Sequence, residues 1–325
     1  MSSSTCRVCG TTGPAEVVVA TEKMFGLGGR FPYFRCADCG CLQIEDPTLD
    51  LGPYYPAQYY SLNPVTGARP SSRWATMRDR EAVFPGHPLG RLLLALKPHA
   101  PLQSLGPLQL RTDDRIADVG CGAGHLLHAL HRLGFGRLTG IDPHLAADAE
   151  PVPGLRLCKA ELGDVDGPFD LIMFHHSLEH VADQVRVLAA ARMRLAEGGR
   201  CLVRIPLVSS QAWQTYGLDW VQLDAPRHLY LHTSQSLRRL ADRAGLEVES
   251  EVHDSSEFQF WGSEALRQGL PLVDAATGQE DPRVRRLAAS RRREWRQKAD
   301  ELNREKRGDQ AVFVLRAAAR PAGAT

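Results

Sequence analysis

The stretch RIADVGCGAGHLLHALHRLGFGRLTGID, residues 115–142, constrains this chain more than any other. A short apolar run ends at Asp118-Val119, and Gly120, Gly122 and Gly124 follow at alternate positions. Leu126, Leu127, Leu130 and Leu133 then recur at helical spacing, and Gly134 supplies a stop signal. The pattern predicts a strand, a tight turn, a helix and a second strand that ends at Asp142. Glycines in such a turn let a ligand approach the backbone at the helix N-terminus. A carboxylate closing the second strand can accept hydrogen bonds from both hydroxyls of a ribose. The spacing departs from the G-x-G-x-x-G of dinucleotide enzymes. Asp118, poorly placed beside a pyrophosphate, is well placed to hold an ammonium group.

The same alternation continues along the chain. Strand candidates are RIADV, RLTGID, LRLCKA, FDLIMF, RCLVRIP, LEVESEV and QAVFVLR, and helical segments separate the first five. Strands alternating with helices predict an α/β chain built on a parallel, doubly wound sheet.

Upstream lie two Cys-x-x-Cys-Gly knuckles, Cys6/Cys9 and Cys36/Cys39. Two thiolates three residues apart can grip one ion from a tight turn, and the glycine after each pair allows the positive φ that the turn needs. Residues 10–35 between the pairs contain AEVVVATEKM and RFPYFRC, strand-like runs that form a hairpin between the knuckles. Four thiolates with no open position point to structural zinc. Cys41 follows closely as a substitute ligand outside the pattern.

The order DVGCGAG, GIDP, FDLIMFHHSLEHVAD resembles the class I S-adenosylmethionine-dependent methyltransferases. EGGR before CLVRIP resembles the turn that precedes their fifth strand, and APRHLYLHTSQSLRRLADRAGLEV resembles the segment before their sixth. The likeness covers residues 111–252 and extends to the final hairpin. It implies a Rossmann-like, doubly wound, seven-stranded sheet with the last strand antiparallel. Cysteine knuckles followed by the tyrosine-rich YYPAQYYS are similar to methyltransferases with an N-terminal zinc-ribbon-like module, some of which modify sugars or other small metabolites. The implied organisation is a zinc-binding module over 1–46, a Tyr/Pro-rich linker and helical cap over 47–110, and a methyltransferase domain over 111–325. A basic helical insertion falls at about 283–307.

The resemblance also implies roles. Asp118 and the loop of Gly120, Cys121, Gly122 and Gly124 would hold the methionine end of S-adenosylmethionine. Asp142, followed by Pro143, would bind the ribose. Glu161 and Leu162 would flank the adenine, and His175 would line the pocket. Methyl transfer to a hydroxyl or carbon needs a proton acceptor, and His228 in DAPRHLYLHT is the first candidate, followed by His176. Tyr59 and Tyr60 would assist if their segment folds over the pocket. Glu179 and His180 are expected to begin the helix after the fourth strand, with Glu179 favoured there by the helix dipole.

Composition narrows the partners. With 39 basic and 38 acidic residues the formal net charge is +1, so no global field draws the chain to nucleic acid or to an anionic membrane. The first residues carry no basic and apolar leader pattern, and runs such as LLLAL at 92–96 are too short to span a bilayer. The expectation is a cytoplasmic enzyme with a small-molecule methyl acceptor. Two alternatives compete with it. One is an RNA methyltransferase that uses the zinc module and the basic helix; the other is a zinc-ribbon adaptor with a vestigial core.

Overall fold

The computed structural model describes residues 3–55 and 72–319. The chain begins with four antiparallel strands: β1 (Ser3–Thr5), β2 (Thr12–Glu22), β3 (Gly28–Cys36) and β4 (Leu42–Ile44). The hairpin expected between the knuckles is β2–β3, with Ala15 opposite Cys36 and Ala20 opposite Phe31. Helices α1 (Arg73–Val83), α2 (Pro88–Leu96) and α3 (Ala100–Gln103) follow, and the Ser72 hydroxyl caps α1 by accepting from the Ala75 N–H.

The alternating region then runs β5 (Ile116–Val119), α4 (His125–Arg132), β6 (Leu138–Ile141), β7 (Ala149–Val152), β8 (Leu155–Cys158), β9 (Phe169–His175), α5 (Gln184–Arg194) and β10 (Leu195–Pro206). The chain continues with α6 (Gln211–Tyr216), β11 (Tyr230–Leu231), α7 (Ser234–Arg243), β12 (Leu246–His253), α8 (Phe258–Arg267), α9 (Pro282–Ser290), α10 (Arg292–Arg304) and β13 (Gln310–Ala317).

Two sheets result. One has the order β1-β2-β3-β4-β11, and the other has the order β12-β13-β10-β9-β5-β6-β8-β7. β5 pairs in parallel with both β6 and β9, β6 pairs in parallel with β8, and β13 runs antiparallel to β12. This is the Rossmann-like methyltransferase sheet expected from the sequence, with one strand more than the seven anticipated. The addition, β7, is an antiparallel edge strand of four residues, AEPV. Its Pro151 is tolerated at an edge and hides the strand from a propensity reading.

By compactness the chain forms two units, one of residues 1–60, 178–189 and 204–325, the other of 61–177 and 190–203. In the second unit β5 is buried at all four positions, as a central parallel strand must be. Arg115 and Asp170 tie the starts of β5 and β9 through a two-pronged ion pair at 2.9 Å per prong. In the first unit Val221, Ala265, Leu266, Leu272 and Val284 form an apolar cluster. The basic stretch near its end is two helices, α9 and α10, and α10 buries Trp295, Ala299 and Leu302 while its charges lie outside.

Arg227 organises the rest of this unit. Its guanidinium is fully buried and reaches Glu22 Oε1 at 2.9 Å, both carboxylate oxygens of Asp224, and the Tyr54 carbonyl at 2.9 Å. The Phe25 ring lies 4.9 Å from it. Removing one partner of a buried ion cluster leaves the others charged and desolvated. Arg227→Ala is therefore expected to lower unfolding stability by about 3–5 kcal/mol in urea denaturation. A loss below about 1 kcal/mol, the scale of an exposed pair, would contradict the role assigned to it.

Candidate cofactor site and metal centre

The glycine loop takes the shape that its sequence predicts. β5 delivers Asp118, and Gly120, Gly122 and Gly124 all have positive φ, at 75°, 51° and 76°. At Gly120 the need for glycine is steric as well: a Cβ there would lie 2.4 Å from Cβ of Ser177. Ser177 Oγ in turn donates to the Val119 carbonyl at 2.6 Å, which pins the residue after His175 and His176 to the start of the loop. Asp142, just past β6, closes the other side. Its Oδ2 accepts from the Gly122 N–H and its Oδ1 from the His144 N–H, both at 2.9 Å. Each oxygen keeps a lone pair for a further donor.

The carboxyl of Asp118 is buried. Burial first, then the nearby Asp142 charge, pushes its pKa up to about 8. A cationic group at this point would relieve both causes, so the residues fit a ligand carrying an ammonium or sulfonium. Cys121 is half-buried, and its thiol is pushed well up, chiefly by burial. Leu162 is buried, whereas Glu161 and Pro143 are exposed at the edges of the loops that follow β8 and β6. His175 ends β9, and His176 follows in left-handed conformation at φ 51°. The structure thus brings Asp118, the glycine loop, Cys121 and Asp142 together at the carboxyl ends of β5 and β6.

The four knuckle cysteines converge. The Cys6 and Cys39 sulfurs are 3.7 Å apart, as are those of Cys9 and Cys36, and all four lie within 4.8 Å of one another. A tetrahedral ion with Zn–S bonds of about 2.3 Å requires sulfurs about 3.8 Å apart. Gly10 and Gly40 close the two turns, donating their N–H groups to the Cys6 and Cys36 carbonyls at 2.8 and 2.9 Å. Gln43 Nε2 donates to the Cys6 sulfur at 2.9 Å, and Arg243 donates to the Arg7 and Val8 carbonyls of the first knuckle. Cys41 stays outside the cluster, its thiol 3.8 Å from the Leu42 carbonyl.

His228 is buried. Its Nδ1 is 2.7 Å from the Gln222 carbonyl, which makes that nitrogen the N–H donor and turns Nε2 toward other partners. Nε2 lies 3.9 Å from Glu179 Oε1 and 3.9 Å from Asp224 Oδ2. The histidine stacked edge-on against it, at 4.8 Å between ring centres, is His180. Burial, followed by His228, lowers the pKa of His180. For Asp224 burial acts upward, but the Arg227 charge and hydrogen bonds outweigh it and hold the carboxyl below its ordinary value.

Glu179 and His180 do not begin α5, contrary to expectation. They occupy a separate 3₁₀ turn, Leu178–His180, and α5 starts at Gln184. Glu179 is buried, so its carboxylate is an interior group and not a dipole-stabilised surface one. Of the tyrosines singled out, Tyr54 packs edge-on against Phe31 at 5.1 Å, and the Tyr55 hydroxyl is 3.4 Å from His180 Nδ1. Tyr59 and Tyr60 lie outside the described residues. Sequence reasoning missed Glu22, Asp224 and Arg227; the D-x-x-R-H order of residues 224–228 was the signal available.

Asp118 makes stability depend on pH. Its folded pKa exceeds the value of about 3.9 for an unfolded aspartate, so the unfolded chain gives up a proton that the native state keeps. Ligand-free stability should therefore fall as pH rises from about 4 to about 8, by at most about 1.4 kcal/mol per pH unit from this group. Asp118→Asn should flatten that slope in urea titrations at a series of pH values. An unchanged slope would show that Asp118 is ionised throughout.

Residues 91–251, from within α2 to β12, match a family model described as a methyltransferase domain. An uncharacterized 37.1 kDa protein in transposon TN4556 of Streptomyces fradiae is 30% identical over 176 residues, covering 48% of this chain and 50% of that protein. A ubiquinone biosynthesis O-methyltransferase from Caulobacter sp. (strain K31) is 35% identical over 125 residues, 33% of this chain and 49% of that protein. A solved S-adenosylmethionine-dependent methyltransferase from Mesorhizobium loti aligns over 68% of this chain and 99% of its own, at 20% identity and a TM-score of 0.42. The chain spans about half the length of these curated relatives. Residues 91–251 of this chain belong to the methyltransferase domain family.

Proposed function

We propose that the protein transfers a methyl group from S-adenosylmethionine to a hydroxyl of a small metabolite, a sugar, nucleotide-sugar or natural-product precursor. The observation that carries the reading is the pair of carboxyls, Asp118 and Asp142, on either side of a glycine loop within the matched residues. Asp118 would pair with the cofactor's ammonium. Asp142 would take the ribose hydroxyls on its remaining lone pairs. Glu161 and Leu162 would border the adenine, and His175 would line the pocket. The O-methyltransferase among the relatives supports an oxygen acceptor.

In the transfer, the acceptor oxygen bonds to the methyl carbon as the carbon–sulfur bond breaks, and sulfur keeps that electron pair as a neutral thioether. The protein's main task is alignment, which can supply about 7–11 kcal/mol of the barrier. The acceptor's proton goes to Nε2 of His228, whose Nδ1–H is already committed to the Gln222 carbonyl. The Glu179 and Asp224 carboxylates stabilise the imidazolium that forms. His176 is the second candidate for this role.

We assign structural zinc to Cys6, Cys9, Cys36 and Cys39. The sulfur separations fit the ion, and the Arg243 guanidinium, which donates to the Arg7 and Val8 carbonyls, brings positive charge beside the first knuckle. Metal analysis of the purified chain should find one tightly held zinc ion that Cys36→Ser abolishes. Retention of full zinc by that variant would contradict the ligand set.

Two substitutions separate binding from chemistry. Asp142→Ala should abolish measurable S-adenosylmethionine binding in calorimetry. His228→Ala should keep the cofactor affinity and lower kcat/KM by about 10²–10⁴-fold. Unchanged turnover in His228→Ala removes it as the base, and undisturbed binding in Asp142→Ala removes the cofactor site.

A further inference from the structure

We infer that Glu179, His180 and His228 form a second metal site, distinct from the cysteine centre, for an exchangeable divalent transition ion. One ligand atom from each of the three lies within 4.8 Å of the others. Ligand atoms around an ion at bonds of about 2.0–2.2 Å stand about 3–4 Å apart, so the set closes when its widest separation shortens by about 1–2 Å through side-chain rotation.

The second observation is the state of the two imidazoles. His180 Nδ1 is 2.8 Å from the Arg227 carbonyl, and His228 Nδ1 is 2.7 Å from the Gln222 carbonyl. Both rings therefore spend Nδ1–H on a backbone oxygen, which makes Nε2 the nitrogen left to meet an ion. This is the outer support that metal-bound histidines use: the hydrogen bond fixes the tautomer and orients the ring. Two such rings stacked at 4.8 Å, with a buried carboxyl 3.9 Å from one Nε2, offer an N₂O donor set. Imidazole and carboxylate together suit zinc, cobalt, manganese or ferrous iron over calcium or magnesium.

His180 and Asp224 are half-buried, so among the described residues the cluster is not fully closed off from solvent. Three protein ligands leave a coordination position open, as catalytic sites do and the four-cysteine centre does not.

The binding itself does not rest on the methyltransferase reading, but its consequence does. An acceptor hydroxyl bound to the ion loses its proton more readily. In the loaded protein Nε2 of His228 is held by the ion, and the acceptor's proton would pass to solvent water and not to Nε2.

The test uses the full chain with its cysteine centre filled by zinc, washed with a chelator and titrated with Co²⁺ alone. We expect one Co²⁺ per chain, with visible absorption lacking the intense thiolate-to-cobalt band. The affinity should fall about tenfold or more in His180→Gln and in Glu179→Gln. His180→Gln changes a half-buried side chain and keeps the test usable if Glu179→Gln does not fold. Absence of Co²⁺ binding, a thiolate band from every bound ion, or unchanged affinity in the substituted proteins would overturn the site. None of these readouts needs the cofactor or turnover, so the proposed function fails or stands separately.

Discussion

A parallel strand buried on both faces has little room for charge, yet β5 ends in one. Asp118 follows two buried residues, Asp142 holds the neighbouring loop, and burial first, with the Asp142 charge second, raises the Asp118 carboxyl well above its ordinary range. That desolvation is a standing cost of the ligand-free fold. It makes mechanistic sense if a cation is the customary occupant, because the same low-dielectric surroundings that penalise the carboxylate strengthen its pairing with an ammonium. The glycines serve this arrangement: Gly120 yields space to Ser177, and Gly122 hands its N–H to Asp142.

A second concentration of charge lies in the other compact unit. Arg227 joins strand β2, the turn at Tyr54 and the segment carrying Asp224 and His228. Tyr33 of β3 adds a hydrogen bond from its hydroxyl to the His228 carbonyl at 2.8 Å. The N-terminal strands thus hold the backbone of His228, the proposed base. The N-terminal module is in this sense a support for the His228 segment, and its four cysteines gather at the first turn and the end of β3.

Much of this was legible in the sequence. The glycine spacing, the leucines of α4 and the acid at 142 specify one strand-turn-helix-strand unit, because each local signal agrees with the next. The cysteine pairs were equally plain, since their glycines report the turn. What escaped has physical reasons. β7 is a proline-containing edge of four residues without alternation. Glu179 and His180 look like a helix start in one dimension, but a 3₁₀ turn intervenes and buries the glutamate. Glu22 and Arg227 are 205 positions apart, and no periodicity links a strand end to a loop at that distance. The neighbour of His228 is His180, 48 positions earlier, a pairing that no local signal announces.

The most direct test of the central claim is a crystal structure of the zinc-loaded protein with S-adenosylhomocysteine. The account predicts the ribose hydroxyls on Asp142, the amino group beside Asp118, and the glycine loop against the ligand's amino-acid end. A ligand bound elsewhere, or bound with both carboxylates more than a hydrogen bond away from it, would contradict the assignment of this site.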